Sequence, residues 1–221
     1  MIPPILITGC ARSGTSMVAG IIDRCYSFGG NTTGPTNWNK KGQYENDEIR
    51  ENIVKPYLHL MGCDPKGQNP LPRRDNLLHI TNLRDKIESV MKYSGYKDGS
   101  WYYKGAKMCL VWPEWNKAFP DAKWIIVRRK DEDIVSSCLN TGFMNAFQEA
   151  YLWQRWVDWH KVCIDEMKQH CRNIVEVWPT QFVEGDFTGI KKAISDIGLE
   201  WNEKEIKKFI APELWGRSHG K

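Results

Sequence analysis

A short apolar run, a glycine-containing loop and a helix follow one another near the start of the sequence, and this order limits the folds open to the chain. Residues 5–8 have the composition of a buried strand, and residues 15–25 have apolar residues at helical spacing. The loop between them, GCARSG, spans residues 9–14. Unpaired N–H groups and the helix dipole attract an anion to such a helix N-terminus. The feature therefore predicts a phosphate-binding strand–loop–helix unit.

This loop departs at one position from the nucleoside-triphosphate frame G-x-x-x-x-G-K-[ST]. Gly9, Gly14 and Ser16 fill the frame, whereas Thr15 stands where the lysine is expected. That lysine contacts the β- and γ-phosphates in nucleoside triphosphate hydrolases, so the loop poorly suits a triphosphate and its metal ion. Arg12 is the only cation of the loop, and its planar charge suits a single phosphate and its leaving oxygen. A turn that binds no ligand is the alternative for this stretch.

Apolar strands alternate with amphipathic helices through the rest of the chain. Strands are predicted at 101–104, 124–127 and 174–177, and helices at 45–60, 80–93, 112–119, 131–139, 147–171, 189–197 and 202–209. The segment 62–76 contains three prolines and two glycines and is predicted as a surface loop. This alternation is typical of an α/β fold with helices on both faces of a mostly parallel sheet. A length of 221 residues predicts one domain, 1–221.

The composition argues against several classes of protein. Lys and Arg number 31 against 27 Asp and Glu, a balance too mild to predict nucleic-acid binding without a basic run. No apolar run is long enough to span a membrane, and the first residues lack the basic start of an export signal. Seven cysteines without a C-x-x-C pair favour reduced thiols. We expect a cytoplasmic protein without nucleic-acid or membrane partners; its oligomeric state is not indicated.

The first loop resembles the 5′-phosphosulfate loop, P-[KR]-S-G-T-[ST], of the sulfotransferases that use 3′-phosphoadenosine-5′-phosphosulfate (PAPS). The matching positions are Arg12, Ser13, Gly14, Thr15 and Ser16, and Ala11 replaces the usual proline. The resemblance implies a single α/β domain with the P-loop-like sulfotransferase fold. It also implies PAPS as the donor, adenosine 3′,5′-bisphosphate (PAP) as the product, and no metal ion.

A second segment, WIIVRRKDEDIVSS at 124–137, resembles the family's 3′-phosphate motif, a strand followed by R-x-x-x-D-x-x-x-S. Arg129, Asp133 and Ser137 stand at the motif positions. An arginine at a strand end and a hydroxyl on the next helix can bind one phosphate by charge-assisted hydrogen bonds. Arg128 competes with Arg129, because it forms an equally spaced pair with Ser136. A solvated loop that only caps a helix is the alternative.

Three further segments resemble smaller, bacterial-type members of the family. NKKGQYEN at 39–46 is similar to N-x-x-G-[YF]-x-E and places Glu45 at the acidic position. YYKGAKMCLVWPEW at 102–115 is similar to K-D-P-R-x-C-L and places Lys104 on the lysine and Lys107 on the arginine. FIAPELWGRS at 209–218 is similar to F-[IL]-x-P-x-L-x-R, with Arg217 offset by one position.

The resemblance implies roles for these residues in sulfuryl transfer, a reaction that leaves charge on the bridging phosphate oxygen and removes one proton from the acceptor. The implied contacts to the leaving oxygen are Arg12 and Lys104; those to the rest of the nucleotide are Ser13, Gly14, Thr15, Ser16, Arg129, Ser137 and Arg217. Glu45 is the implied base, and a helix cap is its alternative role. Asp47, Glu48 and His59 are the alternative bases.

The acceptor is expected to be a hydroxyl or amine of a small molecule or a carbohydrate. Trp38, in the loop before Glu45, is the best candidate for contact with a sugar or aromatic acceptor. Trp153, Trp156 and Trp159 repeat at three-residue steps, which favours core packing over a wall that stacks on substrate. A P-loop small-molecule kinase and a non-catalytic binder of adenosine bisphosphate are the alternative functions.

Overall fold

The computed structural model describes residues 1–215 and contains four β-strands in that range. They are β1 (Ile5–Gly9), β2 (Tyr102–Lys104), β3 (Lys123–Val127) and β4 (Ile174–Val177). Their spatial order is β2-β1-β3-β4, and each neighbouring pair is parallel. The predicted α/β fold with a central, mostly parallel sheet flanked by helices is therefore confirmed.

Helical segments connect the strands. The α-helices of the described range are α1 (Thr15–Arg24), α2 (Asp47–Ile49), α3 (Lys55–Leu60), α4 (Leu83–Tyr93), α5 (Trp112–Ala118), α6 (Asp131–Leu139), α7 (Ala150–His170), α8 (Pro179–Val183), α9 (Thr188–Asp196) and α10 (Glu203–Phe209). A π-helix at Arg50–Val54 joins α2 to α3, so one helical segment runs from residue 47 to residue 60. Short 3₁₀ helices lie at Arg74–Asn76, Ala106–Val111 and Pro212–Leu214.

Both faces of the sheet are buried, as a parallel sheet requires. Leu6, Trp124 and Ile126 belong to an apolar cluster that includes residues of α4, α5 and α7. Ile7 and Ile125 belong to a second cluster, formed with α1, α9 and α10. Neighbouring residues of a strand point to opposite faces, so the two clusters lie on opposite sides of the sheet. Burial of each large apolar side chain contributes about 1.5–3 kcal/mol.

Most predicted elements are present, with shifted ends. The helix predicted from residue 45 begins two residues later, because the side chain of Asn46 caps it by accepting a hydrogen bond from the Ile49 N–H. The helix predicted from residue 147 begins at residue 150, because Glu149 has an extended backbone. Helix α8 was not predicted; its five residues are too few to show a helical period.

Trp153 and Trp156 are buried in the packing between α6 and α7, which confirms the core role that their spacing favoured. Their rings meet edge to face, with centroids 5.3 Å apart. All seven cysteines are free thiols. Within residues 1–215, no helix is both long enough and apolar enough to cross a membrane.

Candidate active site

A cleft of about 570 Å³ opens at the carboxyl ends of β1, β2 and β3. The loop after β1, the residues that follow β2 and β3, helix α6 and the loop before α2 all contribute to its lining. Ligands of parallel α/β sheets bind at this edge, because the strand ends place loops and helix N-termini there. The order of the strands thus brings together segments that are far apart in the sequence.

The first loop needs glycine at both ends. Gly9 has φ +153°, and a Cβ atom there would lie 2.4 Å from the carbonyl oxygen of Val127 on β3. Gly14 has φ +100°, and its Cβ would lie 2.9 Å from Cγ of Pro179. Helix α1 begins directly after Gly14, and the N–H groups of Thr15 and Ser16 in its first turn have no intrahelical partner. The loop therefore leaves free N–H groups at a helix N-terminus, an arrangement that suits an anion.

The side chain of Arg12 extends from this loop into the cleft. Its Nε donates a hydrogen bond to Ser137 Oγ of α6 at 3.0 Å, and its guanidinium carbon lies 5.8 Å from the ring centroid of Phe143. The carbonyl of Arg12 accepts a hydrogen bond from Arg129 Nη1 at 3.0 Å. Burial lowers the pKa of Arg12, which nevertheless stays protonated near neutral pH. These bonds join the loop after β1 to the segment after β3.

Arg129 lines the cleft, whereas Arg128 does not. The Arg128 guanidinium points towards β4, where Nη1 lies 3.6 Å from Glu176 Oε1. Arg129 is sandwiched between Asp133, whose Oδ2 lies 3.7 Å from Nε, and the ring of Trp215, whose centroid is 4.5 Å from the guanidinium carbon. Its Nε is buried and has no hydrogen-bond partner in the described part of the chain. Arg129 thus offers an unsatisfied donor beside the cleft.

Glu45 lies in a buried ionic cluster. The carboxylate is 6% exposed; Oε2 lies 3.4 Å from Lys104 Nζ, and Oε1 lies 3.7 Å from Lys107 Nζ and 3.5 Å from the Tyr103 hydroxyl. Burial alone would raise the pKa of Glu45, but Lys107, Lys104 and Arg50 together lower it below its ordinary value. Burial lowers the pKa of Lys104, and Glu45 partly opposes this shift. Glu45 is therefore an ionised carboxylate near neutral pH, held between two cations.

Glu45 does not cap the following helix, so that alternative role was wrong: Asn46 supplies the cap. The alternative bases Asp47, Glu48 and His59 are not part of the lining of the cleft. Asp47 instead pairs with Arg50, and Glu48 with Asn52.

The structure brings most of the predicted site residues together. Those that line the cleft are Arg12, Gly14, Thr15, Ser16, Trp38, Glu45, Lys104, Lys107, Arg129 and Ser137. Ser13 is the exception: its side chain is fully buried, and Oγ has no hydrogen-bond partner among the residues described. Arg217 lies outside the described residues.

Sequence patterns did not identify several other residues of the cleft. Among the described residues, nine cationic side chains and three carboxylates line the cleft, so it is strongly positive. The cations to which the sequence analysis gave no role are Lys40, Lys41, Arg50, Lys55 and Lys66. Five aromatic residues, Trp38, Phe143, Trp156, Phe209 and Trp215, and one histidine, His160, lie in the described part of the lining. No defined motif position falls on Phe143, Trp215 or His160, although the basic residues on both sides of Trp38 and Glu45 are visible in the sequence. Within residues 1–215, no group of three His, Cys, Asp or Glu side chains is placed to hold a metal ion.

Known proteins resemble the chain in sequence and in fold. The sequence profile of the sulfotransferase domain matches residues 103–213, which include Lys104, Arg129 and Ser137. The structure of sulfotransferase STF9 from Mycobacterium avium aligns with a TM-score of 0.50 and 13% identity, over 93% of this chain and 66% of that one. That of sulfotransferase STF1 from Mycobacterium tuberculosis H37Rv aligns with a TM-score of 0.45 and 12% identity, over 98% and 74%. No curated protein sequence matches the chain. Because the domain profile covers half of its length, the chain belongs to the sulfotransferase family.

Proposed function

We propose that the chain transfers a sulfuryl group from PAPS to a hydroxyl or amine of a small-molecule or carbohydrate acceptor. The observation that carries the proposal is the bond between Arg12 Nε and Ser137 Oγ, because it joins the two segments that resemble phosphate motifs within one cleft. A nucleotide with both a 5′-phosphosulfate and a 3′-phosphate requires two such positions. A nucleoside triphosphate would instead use the loop lysine that Thr15 replaces.

The residues of the cleft fit this donor. The N–H groups at the start of α1 suit the 5′-phosphate, and Thr15 and Ser16 add hydroxyl groups. Arg129 has a buried Nε without a hydrogen-bond partner within residues 1–215, and it lines the cleft together with Ser137, so the pair suits the 3′-phosphate. The excess of cations over carboxylates favours a donor that carries several negative charges. PAPS would supply the electrophilic sulfur and a stable leaving group.

Arg12 and Lys104 are the proposed stabilisers of the leaving oxygen. Both side chains line the cleft, and Lys104 lies at the end of β2, next to the strand that precedes the loop. Cations fixed in a buried site stabilise charge that develops in the transition state without having to reorganise. Glu45 fixes Lys104 at 3.4 Å, so the lysine is oriented before the substrate binds.

Glu45 is the proposed acceptor of the proton from the nucleophile. Its lowered pKa keeps the carboxylate ionised and able to take up a proton, while Lys104 and Lys107 weaken it as a base. Trp38 is the proposed contact for the acceptor: it lines the cleft and packs edge to face on Phe143, with centroids 5.8 Å apart. The loop of Trp38 and the loop of Phe143 thus meet at the cleft.

Transfer from ³⁵S-labelled PAPS to a panel of sugars, phenols and amines tests the proposal. We expect labelled product and an equal amount of PAP, with Arg12→Ala as the inactive control. Failure of the protein to bind PAP would refute PAPS as the donor. Binding of PAP without transfer to any member of the panel would leave the donor assignment in place and refute the proposed acceptor classes.

A further inference from the structure

One histidine of the described chain lines the cleft, and none of the proposed catalytic steps uses it. His160 lies on α7 and is only 2% exposed, yet it forms part of the wall of the cleft. Its ring packs on that of Trp156, with centroids 4.1 Å apart. Trp156 is fixed in turn, because its Nε1 donates to the carbonyl of Gly67 at 3.0 Å. The two rings form a rigid surface, called here the tryptophan–histidine wall.

The hydrogen bonds of His160 determine which nitrogen carries the proton. Nδ1 lies 2.8 Å from the carbonyl oxygen of Trp156. A carbonyl only accepts hydrogen bonds, so Nδ1 carries the hydrogen, and Nε2 of the neutral ring presents a lone pair. Burial lowers the pKa of His160 to about 4, which keeps the ring neutral near neutral pH. Within residues 1–215, no side chain or N–H group donates to Nε2.

The wall is connected to the proposed base through Gly67 and Lys107. Gly67, whose carbonyl holds Trp156, packs against Lys107: a Cβ at Gly67 would lie 2.9 Å from Lys107 Cγ. Lys107 is paired with Glu45, the proposed base. The wall therefore adjoins the end of the cleft where the acceptor loses its proton.

We infer that His160 recognises the acceptor, by accepting a hydrogen bond at Nε2 from an O–H or N–H group of a substrate bound in the cleft. The inference rests on the proposed function, since it assigns a contact to the proposed acceptor of the sulfuryl group. It narrows the acceptor class to molecules with a second hydrogen-bond donor besides the nucleophile, such as polyols and amino alcohols. Such a donor group matters because Nε2 is buried: a substrate without an O–H or N–H group at this position would leave Nε2 without a hydrogen-bond partner.

Two substitutions separate recognition from a structural role. His160→Asn keeps an N–H group near the position of Nδ1 and removes Nε2, whereas His160→Gln places a carbonyl oxygen near the position of Nε2 and removes the bond to Trp156. If His160 recognises the acceptor, His160→Asn should lower kcat/KM for the acceptor about tenfold, whereas His160→Gln should retain most of the kcat/KM of the unchanged protein. A structural role predicts the reverse order, with Gln the more damaging variant. Equal losses, or none, would also overturn the inference.

Nitrogen NMR supplies a readout that does not depend on finding a turnover substrate. The protein is labelled with ¹⁵N-histidine, saturated with PAP and titrated with methyl glucoside, phenol and ethanolamine; His160→Asn identifies the resonances. We expect the His160 Nε2 signal to be of the unprotonated type and to shift with methyl glucoside or ethanolamine more than with phenol. A protonated Nε2, or a signal that none of the three probes shifts, would overturn the inference. PAP affinity, measured in parallel, reports separately on the proposed donor site.

Discussion

Arg12 and Ser137 are hydrogen-bonded at 3.0 Å although 125 residues separate them in the sequence. The bond connects the loop after β1 to helix α6, and the parallel pairing of β1 with β3 makes it feasible by placing both strand ends at one edge of the sheet. Arg129 reinforces the link through the carbonyl of Arg12. The two proposed phosphate positions therefore belong to one hydrogen-bonded unit, and a ligand at one of them contacts side chains that also support the other.

The first prediction concerns the nucleotide. PAP is expected to stabilise the protein without added metal, and more than ATP does, because only PAP places a phosphate at each of the two positions. At a concentration one hundred times its Kd, PAP should add about 2.7 kcal/mol to the free energy of unfolding. Thermal unfolding with each nucleotide, with and without Mg²⁺, measures the difference. Stabilisation that requires both ATP and Mg²⁺ would contradict the assignment.

The second prediction uses two neighbouring arginines as variant and control. Arg129→Ala should weaken the binding of PAP by roughly 1.5–3 kcal/mol, because a charge-assisted hydrogen bond is lost. It should weaken the binding of adenosine 5′-phosphate less. Arg128→Ala should change neither affinity, because that guanidinium faces Glu176 outside the cleft. Isothermal titration with both ligands gives the four values. The assignment fails if Arg128→Ala shows the selective loss.

The third prediction concerns the glycine before α1. Gly14→Ala should destabilise the fold by about 1–3 kcal/mol and lower the affinity for PAP, because Gly14 has φ +100° and there is no room for a Cβ atom there. Gly34→Ala is the matched control: nothing lies within 4 Å of a Cβ at that glycine. It should change the free energy of unfolding by less than about 0.5 kcal/mol. Urea unfolding of both variants measures the contrast, and similar effects would argue against a strained phosphate loop.

The sheet could be predicted from the sequence, and so could the position of the two candidate phosphate segments at the ends of β1 and β3, because those features depend on local patterns. Residue type alone indicates a buried strand in the apolar runs at 124–127 and 174–177. It likewise indicates a tight turn at the glycines 9 and 14. The sequence does not show which of Arg128 and Arg129 faces the cleft. That depends on the direction in which each side chain leaves the end of β3, and the pairing of β3 with β4 determines it. Likewise, Trp156 and His160 share a tryptophan-rich helical face whose spacing indicates core packing, and only the tertiary structure places one edge of that face in the cleft.

The fourth prediction concerns the dependence of stability on pH. The pKa of His160 is about 4 in the folded protein, below the ordinary 6.5. Between these values the unfolded chain binds a proton that the folded chain does not, so stability falls as the pH falls from 6.5 towards 4. The full loss is about 3 kcal/mol, and it should be absent from His160→Asn. Urea unfolding from pH 7 to pH 4.5 measures most of this loss; parallel curves for the two proteins would show that burial does not depress the pKa of His160.

The last prediction separates two roles of Glu45. Glu45→Gln leaves Lys104 and Lys107 without their counter-charge in a buried cluster, so it should destabilise the fold by about 3–5 kcal/mol. If Glu45 is the base, Glu45→Gln should also lower kcat by a factor of about 10²–10⁴. A low rate in the single variant is therefore ambiguous, because misplacement of Lys104 would lower kcat as well.

The double variant Glu45→Gln, Lys107→Met removes one negative and one positive charge and so keeps the net charge of the cluster, which makes it the matched control. If Glu45 takes up the proton, stability should largely recover while kcat stays low, since no carboxylate has been restored. If Glu45 only balances the lysines, stability and kcat should recover together, because Lys104 then keeps a comparable charge environment. Lys107→Met alone shows what the loss of that lysine contributes. Stopped assays at saturating PAPS, corrected for the folded fraction at each temperature, give kcat for the four proteins, and recovery of kcat in the double variant would remove Glu45 from the proton-transfer step.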